Sequence, residues 1–172
     1  GFQGALVPGV AIYGHLVKPL VDHFGAAWLN DSCIVLKLIK PTYHGDELTI
    51  EWPGVGEDVI ATNQRGELIS IISTVSPQVI ANVPDQLGLL GEVKLPGRPE
   101  IAWDNVCIGE MFSPWAVQLS GDENQRFASE IGDDSALYAN HIHPHYLLSL
   151  ANEALMQEYV MPAWIHVKSK IT

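Results

Sequence analysis

Three histidines alternate at positions 141, 143 and 145, and imidazole nitrogens are common ligands of zinc. Pro144 breaks the extended geometry that would direct such side chains to one side. No Cys, Asp or Glu completes a ligand set beside them. We therefore expect no metal site, and nothing in the sequence indicates a cofactor.

Backbone N–H groups at two predicted helix starts are a second source of chemistry. Gly9 and Val10 begin one helical pattern, and His145 and Tyr146 lie at the start of another. The first N–H groups of a helix have no intrahelical acceptor and can stabilise a developing oxyanion. Every helix start offers such donors, so this feature needs further support.

A long amphipathic helix is predicted from Gly9 to Phe24, where apolar residues recur at helical spacing. Pro19 removes one backbone hydrogen bond at a cost of about 3 kcal/mol, so we expect a kink or an early end there. Four strands should follow, the last two joined by a tight hairpin through 64–66. Their predicted ranges are 33–39, 47–52, 59–63 and 67–75. Strand-rich sequence after one long helix favours an α+β fold with an antiparallel sheet wrapped on that helix.

Residues 77–104 form a candidate linker, because Pro and Gly interrupt any sustained period there. The pattern restarts with a possible strand over 112–119, a short helix over 121–131, a long helix over 144–159 and a strand from Trp164. The order of helix then strand indicates a weak internal repeat. Two such units arising independently in one α+β domain explain the pattern equally well.

Composition excludes several classes of function. The formal net charge is −11 and only nine Lys and Arg are present, which argues against nucleic-acid binding. No apolar run reaches the roughly 20 residues that span a bilayer. Cys33 and Cys107 have no CxxC spacing, which is typical of buried thiols in a reducing compartment. We expect a cytoplasmic protein with no membrane partner.

Two stretches of the first half resemble the MaoC-like hotdog family. One is Gly-Ala-Leu-Val-Pro-Gly-Val over 4–10, which leads into the long helix. The other is the strand and turn over 36–50, in which Pro41, Gly45, Asp46 and Leu48 match the spacing of that family's F-x-x-P-V-x-x-G-D-x-L-x-V pattern.

The second half resembles the hydratase motif of the same family, F-A-x-x-x-G-D-x-N-P-x-H, over residues 127–138. Asp133 stands at the position of the catalytic Asp, Ser135 replaces the Asn, Ala136 replaces the Pro, and Tyr138 replaces the catalytic His. Downstream, His143-Pro144 and the following helix resemble a hotdog helix.

The resemblance implies a tandem, or double, hotdog fold in which each unit has a long central helix wrapped by a curved antiparallel sheet. Residues 2–76 would form a first unit that lacks its first strand, and 105–172 would form the first part of a second unit. Unpaired sheet edges in such units favour association, so we expect a homodimer.

The resemblance also implies a site for acyl-CoA or another acyl thioester. Asp133 and Tyr138 are the candidate catalytic residues, and Gly9, Val10, Ser135 and His143 are the candidate oxyanion or acyl-binding residues. A Tyr pKa near 10 suits proton transfer at neutral pH much less well than a His pKa near 6.5. A turn role for Asp133 competes with catalysis.

Three functions follow from these residues. The chain could be a hydratase or dehydratase relative with a degenerate motif. It could be a non-catalytic acyl-CoA-binding or scaffold protein, which the Tyr138 substitution favours. A hotdog thioesterase is the third, with Asp133 as its carboxylate.

Overall fold

The computed structural model describes residues 4–75, 97–106, 115–162 and 166–171. In these ranges the chain folds as an α+β structure with four α-helices and one five-stranded antiparallel sheet. The helices are α1 Gly9–Phe24, α2 Ala26–Asp31, α3 Gly121–Glu130 and α4 Pro144–Glu158. The strands are β1 Ile34–Leu38, β2 Leu48–Glu51, β3 Val59–Asn63, β4 Leu68–Thr74 and β5 Lys168–Ile171, in the order β2-β3-β4-β1-β5.

Helix α1 has the predicted bounds and forms the centre of the core. Its apolar face is buried. Of the two outcomes expected at Pro19, a kink or an early end, the early end is wrong because the helix continues to Phe24. Burial of Leu20 and Val21 after the proline offsets the lost backbone bond. The core cluster also contains Trp28 from α2, a short helix that the sequence pattern did not predict.

Strand β5 joins the end of the sheet next to β1, with Ile34 opposite Ile171. The strand predicted from Trp164 is thus observed over Lys168–Ile171, and it adds to the sheet made by the first half of the chain. Both halves therefore share one sheet. Helix α4 packs against α1 as a second link between them.

Helix α3 begins at a capping box, in which the Ser120 side chain accepts from the Glu123 N–H and the Glu123 side chain accepts from the Ser120 N–H. Helix α4 begins with Pro144 in its first turn, as predicted. A 3₁₀ helix over Ala136–Ala139 lies between them.

The other predicted elements are confirmed in part. Strands β1 to β4 and the hairpin at Gly66, with φ of 71°, agree with the predicted positions. Residues 115–119 are not in a strand, and the rest of the predicted strand over 112–119 lies outside the described residues. Most of the candidate linker over 77–104 also lies outside them. In the part of the chain that the structure describes, no helix has the length and apolar character needed to cross a bilayer.

Candidate functional site

The predicted acid/base residues Asp133 and Tyr138 are in contact in the protein interior. Tyr138 is fully buried, Asp133 is 5% exposed, and the Tyr138 hydroxyl donates a 2.9 Å hydrogen bond to Asp133 Oδ2. Asp133 follows Gly132, whose φ of 79° reverses the chain after α3. The Asp133 N–H donates to the Ala128 carbonyl, which closes that turn. The end of α3 therefore directs this carboxylate inward.

His143 joins the pair, although the sequence interpretation assigned it to acyl binding. Its ring is fully buried, and Nε2 lies 3.4 Å from Asp133 Oδ2. Nδ1 accepts a 3.1 Å hydrogen bond from the His145 backbone N–H, so the proton of the neutral ring belongs on Nε2, beside the carboxylate. The His145 N–H is therefore engaged, and its prediction as a free oxyanion donor is wrong.

Lys18 of α1 completes the arrangement. Its Nζ lies 3.3 Å from Asp133 Oδ1 and 3.0 Å from Asp22 Oδ2. Lys18 lies off the apolar stripe of α1, and no local sequence pattern shows a partner 115 residues away. We call Lys18, Asp133, Tyr138 and His143 the carboxylate cluster.

Asn124 of α3 holds the chain around the carboxylate cluster, and sequence reasoning missed it. It is buried, and its Nδ2 donates to the carbonyls of Tyr138 and His141. Its Oδ1 accepts a 2.9 Å hydrogen bond from the His143 N–H. One amide side chain thus fixes both ends of the segment 138–143. The only sequence feature that indicated this role was the presence of an asparagine inside a helical pattern.

The carboxylate cluster keeps Asp133 ionised. Burial opposes its charge, but the Tyr138 hydrogen bond and the Lys18 charge outweigh burial, so the pKa of Asp133 lies below its ordinary value. Burial and the Asp133 carboxylate raise the pKa of Tyr138. Burial lowers the pKa of His143 in spite of Asp133. At neutral pH the cluster therefore contains a carboxylate, a phenol, a neutral imidazole and an ammonium group.

This arrangement suits a structural role better than water activation. A general base must reach the proton that it removes. Asp133 is nearly inaccessible and already accepts from three donors, whereas Tyr138 and His143 have no exposed surface. The cluster instead ties α1 to the segment between α3 and α4.

The start of α1 is built by the two stretches that carry the family resemblance. The Val7 N–H donates to the Thr42 carbonyl at 2.9 Å, and the His44 N–H donates to the Ala5 carbonyl at 2.9 Å. Asp46 shapes the opposing turn by accepting from the Tyr43 N–H at 2.8 Å. The Pro-x-x-x-Gly-Asp spacing thus encodes a turn that positions the residues before α1.

A small cavity of about 170 Å³ lies beside the first turn of α1, and we call it the helix-start pocket. Its lining is mostly apolar and includes Val7, Gly9, Ile12, Leu38 and Thr42. Pro8 provides no side-chain cap, so the N–H groups of Gly9 and Val10 remain without a capping partner in the described structure. A Cβ at residue 9 would lie 2.4 Å from Leu38 Cδ1 and 3.2 Å from His166 Cβ, so a larger residue there would require the Leu38 side chain to move.

A neighbouring cavity of about 300 Å³ shares Val7, Ile12 and Thr42 with the helix-start pocket and is also lined by His15. The Thr42 hydroxyl lies buried at this junction and has no hydrogen-bond partner among the described residues. A buried hydroxyl without a partner is costly. Thr42 is therefore the polar group that sequence reasoning missed at this site.

The predicted site residues fall in two places. Gly9 lines the helix-start pocket, and Val10 follows it in the first turn of α1 without lining that pocket. Asp133, Tyr138 and His143 belong to the carboxylate cluster, which meets α1 at Lys18. Lys18 follows Gly9 by roughly 13 Å along the helix axis. Ser135 caps the 3₁₀ helix by accepting from the Leu137 N–H at 3.4 Å.

No group of three His, Cys, Asp or Glu side chains within the described ranges is placed to hold a metal ion. Comparisons with protein-family models, curated proteins and solved structures found no match to the chain.

Proposed function

We propose that this protein binds an acyl thioester at the start of α1 and is a relative of the MaoC-like hydratases whose acid/base motif has become structural. The observation that carries the proposal is the helix-start pocket, where an apolar cavity meets helix N–H groups that have no side-chain cap. A thioester offers an apolar acyl chain and a polarisable carbonyl, which match these two features.

The carboxylate cluster supports the binding function over hydration. Hydration needs an accessible base and a second group to supply a proton. The phenol of Tyr138 has a raised pKa and donates to Asp133, and the neutral His143 ring has both nitrogens engaged. We therefore expect the protein to bind crotonyl-CoA without hydrating it.

The tandem hotdog arrangement and the homodimer are part of the same proposal. A helix lying on an antiparallel sheet, with strands from both halves of the chain in that sheet, is compatible with the tandem hotdog arrangement. Strands β2 and β5 form the two ends of the sheet within the described residues, and unpaired ends favour a homodimer.

Residual hydratase activity is the second candidate function, and one observation favours it. His143 lies 3.4 Å from Asp133, so an Asp and a His are neighbours even though Tyr138 replaces the His of the motif. If the two residues act as an acid/base pair, crotonyl-CoA is hydrated and the reaction is lost in Asp133→Asn.

The test combines isothermal titration calorimetry with crotonyl-CoA and free CoA and an absorbance assay of enoyl hydration. We expect crotonyl-CoA to bind more tightly than free CoA and the hydration rate to equal the uncatalysed rate. Ile39→Trp should weaken binding, because Ile39 lines the helix-start pocket and is exposed enough to be enlarged without disturbing the core.

Ile142→Trp is the matched control, since Ile142 is similarly exposed and belongs to neither cavity at the start of α1. Equal binding of crotonyl-CoA and free CoA would show that the acyl group is not recognised. Turnover that Asp133→Asn abolishes would replace the binding proposal with the hydratase.

A further inference from the structure

A third cavity lies at the opposite end of α1, where the helix ends and α2 begins. It has a volume of about 470 Å³ and is lined by Phe24, Trp28 and Trp52 together with the carboxyl residues Asp31 and Glu57. We call it the aromatic pocket. Its volume is in the range of small-molecule sites, and no role has been assigned to it in acyl binding.

Two of the three aromatic side chains that line the cavity, Phe24 and Trp52, pack against each other and against His23. The rings of Phe24 and Trp52 lie 5.8 Å apart at an interplanar angle of 56°. His23 packs edge-on against both rings, with centroid distances of 4.6 Å to Phe24 and 5.0 Å to Trp52. These contacts hold the exposed ring of Phe24 and the half-buried ring of Trp52 in place at the cavity.

The charges around the aromatic pocket have one sign. Asp31 and Glu57 are exposed, and neither forms an ion pair with another described residue. No Lys or Arg is among the lining residues. An anionic ligand would meet two carboxylates and no compensating cation, so the pocket is complementary to a positive charge.

Trp28 contributes a buried hydrogen-bond donor without a partner. Its ring is 8% exposed, and its Nε1–H is buried without a hydrogen-bond acceptor in the described structure. An indole N–H that lacks an acceptor is costly in the interior. Trp28 lines the aromatic pocket, so this N–H is a polar group of the pocket's surroundings that lacks an acceptor.

We propose that the aromatic pocket binds a small organic cation of the methylated ammonium class. Three aromatic residues line the cavity, and aromatic rings attract cations with diffuse charge, which lose little hydration on entering. A metal ion would need several fixed ligands, and no suitable group exists within the described ranges. The two exposed carboxylates add a screened, long-range attraction.

This inference goes beyond the proposed acyl site and is independent of it. Phe24 follows Gly9 by roughly 22 Å along the α1 axis, so the two sites lie at opposite ends of the helix. CoA carries phosphate groups, which the carboxylates of the aromatic pocket disfavour. A failure of crotonyl-CoA binding therefore leaves this proposal unaffected, and the reverse also holds.

Choline is the probe, and 3,3-dimethyl-1-butanol is its uncharged counterpart with carbon in place of nitrogen. Binding is followed by the indole N–H resonances of Trp28 and Trp52 in ¹H–¹⁵N spectra of the whole chain. We expect both resonances to shift and choline to bind at least about fivefold more tightly than the alcohol.

Variants locate the site. Trp52→Leu should abolish the preference for choline, and Trp52→Phe should retain part of it. Asp31→Asn and Glu57→Gln lie on exposed positions that do not threaten the fold, and each should weaken choline binding about twofold at low salt. Trp103→Leu is the control, because Trp103 is 100% exposed and outside the pocket.

Equal affinity for the alcohol would overturn the proposal, because an apolar pocket alone would explain it. Absence of choline binding would overturn it as well. Choline binding that Trp52→Leu leaves unchanged would place the cation elsewhere and also overturn the assignment. Urea unfolding of each variant verifies that it is folded.

Discussion

The Tyr138 hydroxyl donates a 2.9 Å hydrogen bond to the buried Oδ2 of Asp133. Two residues that the motif resemblance assigns to catalysis thus form a hydrogen bond with each other in the protein interior. The same carboxylate accepts from His143 and pairs with Lys18, so it connects α1 with the segment that follows α3.

Tyr138→Phe removes the hydroxyl and should lower the free energy of unfolding at pH 7 by about 2 kcal/mol, because the lost hydrogen bond is made to a charged group. The pKa of Asp133 is lowered in the folded protein, so its stabilising contribution is present above the unfolded value near 3.9 and is lost as pH falls through the folded pKa. The difference between wild type and variant should therefore shrink as pH falls below about 4.

Urea unfolding at several pH values between neutral and acid measures this difference. Tyr43→Phe is the control, since the Tyr43 side chain is half-buried and its hydroxyl makes no hydrogen bond to a described residue. A difference that stays constant with pH would show that Tyr138 does not stabilise the ionised form of Asp133.

Asn124→Ala should destabilise the protein by about 3 kcal/mol, because two carbonyls and the His143 N–H lose their partner in the interior. Gln125→Ala on the exposed side of α3 is the control. Chemical denaturation measures both variants, and hydrogen exchange of the His143 amide should accelerate in Asn124→Ala alone. Equal stability of the two variants would show that the segment 138–143 is held by other contacts.

Local patterns predicted the elements well where one face is buried. Gly9–Phe24 and Val59–Asn63 have the predicted bounds, since apolar periodicity and turn residues coincide there. Ala26–Asp31 was missed because six residues are too short to show a period. The pairing of Ile34 with Ile171 depends on contacts between distant parts of the chain, which no local pattern contains.

The site was predicted less completely than the fold. Motif spacing identified Asp133 and Tyr138, but the role of each depends on burial and on Lys18 and Asn124, which are distant in sequence. Helix periodicity identified Gly9, whereas the buried Thr42 hydroxyl beside it follows from the fold of the turn over 41–46. Residue types therefore predicted which acidic, basic and hydrogen-bonding groups are present, whereas tertiary packing determines which of them are buried and in contact.

His145 should make stability depend on pH. Burial, with repulsion from His143 and His15, lowers the pKa of His145 to about 4. In the unfolded chain His145 takes up a proton near pH 6.5, whereas in the folded protein it does so only near pH 4. The contribution of His145 to the free energy of unfolding is therefore fully present above pH 6.5 and falls as pH decreases toward about 4. The contribution of His145 to the slope of the free energy of unfolding against pH is at most about 1.4 kcal/mol per pH unit.

His145→Gln should reduce this slope, whereas His44→Gln at an exposed position should leave it unchanged. NMR titration of the His145 ring gives its pKa directly, and a midpoint near 6.5 would contradict the prediction. His143 contributes in the same direction because burial also lowers its pKa.

Thr42→Val separates stability from binding at the helix-start pocket. The substitution removes a buried hydroxyl that has no partner in the described structure, so the free energy of unfolding should rise by about 1 kcal/mol. If a thioester binds in this pocket as proposed and accepts a hydrogen bond from the hydroxyl, crotonyl-CoA should bind about fivefold more weakly to the variant. Ser70→Ala is the matched control, because the Ser70 hydroxyl is also buried without a described partner but does not line the pocket. It should stabilise the protein and leave the affinity unchanged. Equal loss of affinity in both variants would show that Thr42 has no specific contact with the ligand.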